Sequence, residues 1–329
     1  MTKRPGRRRA LTLAAAAAAT AVLPGCALLG DPPQTAALRA APPPDLPSGA
    51  ENTQVPFFPQ TRYHCGPAAL ATALADVGLP ADPVGLADAV FLPAREGSLQ
   101  LEMLSGARRQ GAVATRLPPD LPDLLREVAA GHAVLVLQNR GLDMAPMWHY
   151  AVLVGYDLPA RELYFRSGTL RREVLPLHTF EHIWARAGRW AIAVLPPGTL
   201  PATATEADAV QATLGYGRVA APAAAARAWG AVLQRWPASL LAGMGLGNAL
   251  HAASDLPGAA RAFEAVALRH DSAAAWNNLA RTRAALGETP AAREAALRAV
   301  GRAQAAEPDW LPAAQQTLQA LDMKKPLSR

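Results

Sequence analysis

The chain has 329 residues, enough for two domains with sizeable cores. Apolar residues make up 51% but aromatics only 5%, and alanine fills much of the difference, a composition suited to closely packed small-residue helices. Lys3, Arg4, Arg7, Arg8 and Arg9 supply five of the six net positive charges, and no basic stripe with interleaved aromatics follows, which argues against a nucleic-acid partner.

Residues 1–25 read as an export signal: a basic start to Arg9, an apolar run from Ala10 to Leu23, then small residues. The run is too short and too rich in alanine for a membrane-spanning helix. Leu23-Pro24-Gly25-Cys26 resembles the lipobox of bacterial lipoproteins. That resemblance implies acylation of Cys26 and a lipid anchor in the bacterial cell envelope, at the outer membrane and facing the periplasm. The alternative is an ordinary secretory signal with an incidental cysteine. Arg7-Arg8-Arg9 with Leu11 is weakly similar to a twin-arginine signal.

With Cys26 acylated, Cys65 is the one remaining thiol of a chain with two cysteines. In an oxidising compartment such a thiol is either buried and inert or kept for its reactivity.

Residues 26–54, with Asp31-Pro32-Pro33 and Pro42-Pro43-Pro44, read as a Pro-rich tether. A domain follows over 55–197. The spacing predicts a helix over 66–77, with Pro67 in its first turn and Leu70, Ala73, Leu74 and Val77 on one face. Residues 99–110 and 121–130 read as further short helices. The period then changes: Ala133 to Leu137, His149 to Tyr156 and Leu163 to Arg166 read as strands, the last two as a hairpin, and Trp190 to Leu195 as a final strand. A helical lobe followed by a sheet lobe is an α+β plan.

Residues 198–222 read as a linker and a degenerate helix, and 223–323 as stacked helices. Leu246-Gly247, Ala259 and Phe263 recur 33 residues later as Leu279-Ala280, Ala292 and Ala296. The period is close to that of tetratricopeptide repeats, which implies a protein partner on the helical surface. Trp229 and Pro237 mark the end of an earlier, degraded repeat, and residues 309–321 suit a capping helix; a plain helical bundle is the alternative.

Cys65 opens the 66–77 helix, where unsatisfied N–H groups and the positive dipole end favour a thiolate. His149 opens a strand from the other lobe, so a Cys–His pair across a cleft would form an activated nucleophile. Gln60 has an amide to offer beside the Cys65 N–H for an oxyanion, or is simply a loop residue.

The segments Gln60-Thr-Arg-Tyr-His-Cys65-Gly-Pro-Ala-Ala-Leu70 and His149-Tyr-Ala-Val-Leu-Val-Gly-Tyr-Asp157 resemble the bacteriocin-processing (double-glycine leader) cysteine peptidases. The resemblance covers about residues 55–197 and implies a papain-like fold, with Cys65 as nucleophile, His149 as general base and acid, Gln60 as oxyanion donor, and a peptide or protein as substrate. Family members carry an acid on the strand after the histidine strand, where this chain has Arg166-Ser167-Gly168. Asp157 lies roughly 26 Å from His149 along an extended strand, too far to replace it. Ser167 returns along the hairpin and can accept the His149 N–H without supplying charge. A catalytically inactive scaffold working through its repeats is therefore the competing reading.

His178-Thr-Phe-Glu181-His182 spells a zinc-peptidase pattern, but Phe180, Ile183 and Trp184 point to packing and no further carboxylate completes a ligand set. His64 beside Cys65 reads as a loop residue, and Arg171, Arg172, Arg186 and Arg189 as a solvated face. No metal or other cofactor is expected.

Overall fold

The computed structural model describes residues 30–60 and 64–323. Cys26 and the segment read as an export signal lie outside them. The first domain is built on a seven-stranded antiparallel sheet, and both faces of that sheet are covered by helices.

In chain order its elements are α1 (Pro33–Ala40), β1 (Gly49–Glu51), α2 (Cys65–Asp76), α3 (Pro83–Val90), α4 (Gln100–Arg109), β2 (Val113–Arg116) and α5 (Leu121–Ala129). They continue as β3 (Val134–Asn139), β4 (Trp148–Asp157), β5 (Glu162–Ser167), β6 (Leu170–Pro176), α6 (Leu177–Ala185) and β7 (Ala191–Leu195). The strands run in the order β2-β7-β3-β4-β5-β6, with β1 added beside the far half of β4.

Leu70 and Leu74 of α2 and Met103 of α4 pack on Leu135, Leu137, Val152 and Ile192 from one side. From the other, Leu124 and Leu125 of α5 and Phe180 and Trp184 of α6 pack on Val134, Val136, Leu153 and Phe165. Because β3 is buried on both faces, it reads as an unbroken apolar run rather than an alternation. The domain has the expected α+β plan, with its sheet lying between two helical layers.

The stretch expected to be a tether folds back onto this domain from Pro33 onward. Buried Glu181 accepts hydrogen bonds from the backbone N–H of Gln34 (3.0 Å), the N–H of Thr35 (2.6 Å) and the Thr35 hydroxyl (2.8 Å). Three donors on one carboxylate satisfy the charge and fix the start of α1. This also occupies the carboxylate of the zinc-peptidase pattern. Gly49–Glu51 then joins the sheet through Gly155–Asp157.

After β7 come α7 (Glu206–Gly217), α8 (Pro222–Arg235), α9 (Leu240–Ala252), α10 (Leu256–His270), α11 (Ala273–Ala285), α12 (Thr289–Ala305) and α13 (Leu311–Met323). Each packs on the next in sequence. The first helices of successive pairs begin at residues 206, 240 and 273, and the second helices at 222, 256 and 289. The helical region begins with α7, inside the 198–222 stretch read as a linker and a degenerate helix. Small residues let the helices approach: a β-carbon on Gly245 would run into the Trp229 ring, and one on Gly247 into the Phe263 ring. Ala280, which follows Gly247 by one period, is fully buried.

The connection between the two regions is clasped. Glu127 of α5 is fully buried and accepts from the N–H of Ala202 (3.1 Å), the N–H of Thr203 (2.7 Å) and the Thr203 hydroxyl (2.6 Å), with His132 Nδ1 at 2.7 Å. Burial works against the charge, but these bonds outweigh it and hold the carboxyl below the ordinary glutamate range. Arg235 of α8 closes the clasp on the carbonyls of Pro201 and Ala202, both at 2.6 Å. Glu127→Ala is expected to expose residues 196–206 to limited proteolysis at least about tenfold faster, since breaking a buried charged network costs roughly 3–5 kcal/mol. An unchanged cleavage rate at those residues would count against the clasp.

Candidate active site

Cys65 is the first residue of α2, and the Cys65 side chain packs partly buried against the core on that face of the sheet. Gly66 makes this placement available. A β-carbon at residue 66 would lie 2.8 Å from Ser98 Cβ and 3.3 Å from Met103 Sδ. Burial pushes the Cys65 thiol up, while the backbone N–H groups of Tyr150, Gly66 and Cys65 itself pull it down. Burial wins, so the resting group is a thiol and not the thiolate expected from the helix start alone. The N–H of Tyr150 places the sulfur at the beginning of β4, one residue from His149.

His149 is half-buried, and its Nε2 lies 2.9 Å from Ser167 Oγ. That bond leaves Nδ1 as the nitrogen for proton exchange. Burial first, then the nearby Arg140 cation, press the His149 pKa down to about 4, with Glu173 acting in the opposite direction. The imidazole is neutral at pH 7, and a neutral imidazole can accept a proton.

Ser167 ends β5, where the pairing with β6 shifts register before Gly168 turns the chain at φ +60°. Arg140, just past β3, donates from Nη2 to Ser167 Oγ (3.2 Å) and grips Glu173 through Nη1 to Oε1 (3.0 Å) and Nη2 to Oε2 (2.6 Å). The Arg140 Nε donates to Gln138 Oε1 at 2.8 Å, and Gln138 is the cross-strand neighbour of His149. The Ser167 hydroxyl also hydrogen-bonds the Glu173 carboxylate. Burial opposes the Glu173 charge, but Arg140 and Ser167 keep its carboxyl below the usual range.

Gln60 reaches the same turn, its backbone N–H donating to the Gly168 carbonyl at 3.0 Å. The fold therefore brings Cys65, His149, Gln60 and Ser167 to one end of the sheet. Asp157 is at the other end of β4, where Oδ1 accepts the Ala160 N–H at 2.8 Å and closes the hairpin turn. Arg166 is taken up by the carbonyls of Val55 (3.0 Å), Thr53 (3.0 Å) and Arg171 (2.8 Å).

Sequence reasoning passed over Glu173 and Arg140. Extending the hairpin by one strand would have found the acid, because β6 pairs with β5 and sets Glu173 opposite Phe165, two residues before Ser167. His64 stands edge-on to Phe91 at 5.0 Å. Two of the arginines read as a solvated face have partners: Arg172 pairs with Glu51 at 2.8 Å, and Arg186 donates to the Asn139 carbonyl at 3.1 Å.

The loop between β3 and β4 and the first residue of β4 carry apolar side chains outward beside His149: Leu142, Met144 (88% exposed) and Met147 in the loop, and Trp148 (55% exposed) in the strand. Its base is fastened by Asn139 Oδ1, which accepts from the N–H of Gly141 (3.0 Å) and Met147 (2.9 Å). Together these side chains form an exposed apolar rim.

Residues 52–192 match the Peptidase_C39 like family. Gln60, Cys65, His149, Ser167 and Glu173 all fall inside this C39-like segment, which takes up less than half of the chain. The segment supplies a cysteine-peptidase fold, followed by a region of many helices. A crystal structure of a candidate C39-like peptidase from Bacillus anthracis is similar over 45% of this chain and 98% of its own length, at 20% identity and a TM-score of 0.39. No curated protein matches the chain.

Proposed function

We propose that this protein is a cysteine peptidase that hydrolyses a peptide amide through a thioester on Cys65. The observation that supports this most directly is the position of the Cys65 sulfur at the N–H of Tyr150, next to a neutral His149 held by Ser167. In this reading His149 Nδ1 takes the Cys65 proton as sulfur bonds to the substrate carbonyl carbon. The Cys65 N–H and the Gln60 side-chain amide steady the resulting oxyanion. Collapse breaks the C–N bond, and the amine leaves with the proton from His149. Water then attacks the thioester with His149 again as base, releasing the acid and restoring the thiol.

The helical region serves in this proposal as a protein-binding surface of tetratricopeptide type. A groove of about 440 Å³ lined by Asn277, Arg281, Gln316 and Thr317 offers polar contacts for a partner. The acylated Cys26 would anchor the chain in the cell envelope, facing the periplasm. Among the described residues no helix is long and apolar enough to cross a membrane.

Cys65 alkylation by iodoacetamide at pH 7 tests the pair. Labelling is expected to be at least about tenfold faster in the native chain than in His149→Ala, because the imidazole draws the thiol proton. Equal rates would remove the peptidase reading in favour of a binding scaffold, a role that the protonated resting thiol also suits.

A further inference from the structure

We propose that Glu173, acting through Ser167, fixes the tautomer of His149 so that its proton sits on Nε2 and its lone pair on Nδ1. The inference rests on the peptidase reading for its meaning, but its geometry is independent of any substrate.

A serine hydroxyl has one proton to give and two lone pairs to receive with. Ser167 Oγ has three polar neighbours: Arg140 Nη2 at 3.2 Å, His149 Nε2 at 2.9 Å, and the Glu173 carboxylate. Arg140 can only donate, so it takes one lone pair. Glu173 can only accept while ionised, and its bidentate pairing with Arg140 keeps it so. A carboxylate is a stronger acceptor than an imidazole nitrogen, so the single Ser167 proton goes to Glu173. The remaining lone pair can then be met only by an N–H on Nε2.

Were Glu173 absent, the Ser167 proton could turn to Nε2 and leave the proton of the ring on Nδ1, where it would block transfer from Cys65. Arg140 adds a second feature. It neutralises Glu173, so the relay selects the tautomer without placing a net negative charge beside the ring, and the imidazole stays neutral. Glu173 is a positioning residue in this scheme: Ser167 stands between it and the ring.

The test is nitrogen NMR of imidazole-labelled full-length protein at pH 7, with each histidine assigned by substitution. Native His149 is expected to be protonated on Nε2. Glu173→Gln should move population to the Nδ1–H form and slow Cys65 alkylation at least about tenfold. The double variant Ser167→Asn with Glu173→Gln supplies a side-chain carbonyl that accepts directly from Nε2–H, and should restore both readouts. Near-UV circular dichroism that matches the native spectrum shows that the fold is kept. An Nδ1–H tautomer in the native protein, or an unaltered Nε2–H tautomer in Glu173→Gln, would overturn the proposal. If the tautomers behave as stated but native alkylation equals that of His149→Ala, the peptidase reading fails and the tautomer assignment stands.

Discussion

Peptide cleavage by His149→Ala is expected to fall roughly 10²–10⁴-fold from the native rate, the usual contribution of a positioned acid–base group. The pH profile should be equally diagnostic. His149 acts as a base only when neutral, and burial with the Arg140 cation sets its pKa at about 4. The acid limb of kcat/KM should therefore lie near pH 4, well below the 6.5 of an ordinary histidine. The same shift has a stability consequence. Between pH 6.5 and 4 the unfolded chain binds a proton at His149 that the folded chain does not. Stability should thus fall as pH is lowered through that window and level off below it. His149→Gln, which cannot titrate, should lose this part of the acid sensitivity. An acid limb near pH 6.5 would contradict the site as described.

The second large effect concerns stability. Trp184→Ala is expected to lower the unfolding free energy by roughly 3–5 kcal/mol, a large share of the 5–15 kcal/mol that typically separates folded from unfolded. Trp184 is fully buried, stacks on Phe180 at 5.6 Å and donates from Nε1 to the Trp190 carbonyl at 3.0 Å. That carbonyl also receives the Leu137 N–H at 3.1 Å, so it keeps a partner in the variant. The expected loss is therefore burial and a cavity rather than an orphaned polar group. Trp190 in turn meets Tyr150 edge-on at 5.7 Å, and the Tyr150 N–H faces the Cys65 sulfur. Reduced Cys65 labelling should accompany the lost stability. A change below about 1 kcal/mol in chemical unfolding would show that the site repacks freely.

What the sequence made legible follows from how each element announces itself. The expected 66–77 helix is α2, and the runs at 133–137 and 149–156 are β3 and β4, because apolar periodicity and Gly or Pro punctuation are local signals. Cys65, His149, Gln60 and Ser167 were within reach for the same reason. Glu173 was not. It lies on β6, whose residues Leu170-Arg171-Arg172-Glu173 are exposed or only half-buried, and whose two arginines read as a solvated face. The register of that strand is fixed by the Gly168 turn and by pairing to β5, and neither is written in its own hydrophobicity. The docking of α1 was hidden in another way. Prolines around Pro33 and Pro42 suggest an extended tether, while the group that captures the segment is Glu181, 146 residues beyond Thr35.

That capture changes how far an anchored molecule could travel. With a lipid on Cys26, a free tether through residue 54 would span about 95 Å at full extension. With α1 held by Glu181 from Gln34 and Thr35, a lipid on Cys26 could stand no more than roughly 20 Å from Pro33 even at full extension, a short leash. A domain on so short a leash would work at the lipid surface itself. It would meet substrates arriving along the membrane or emerging from it.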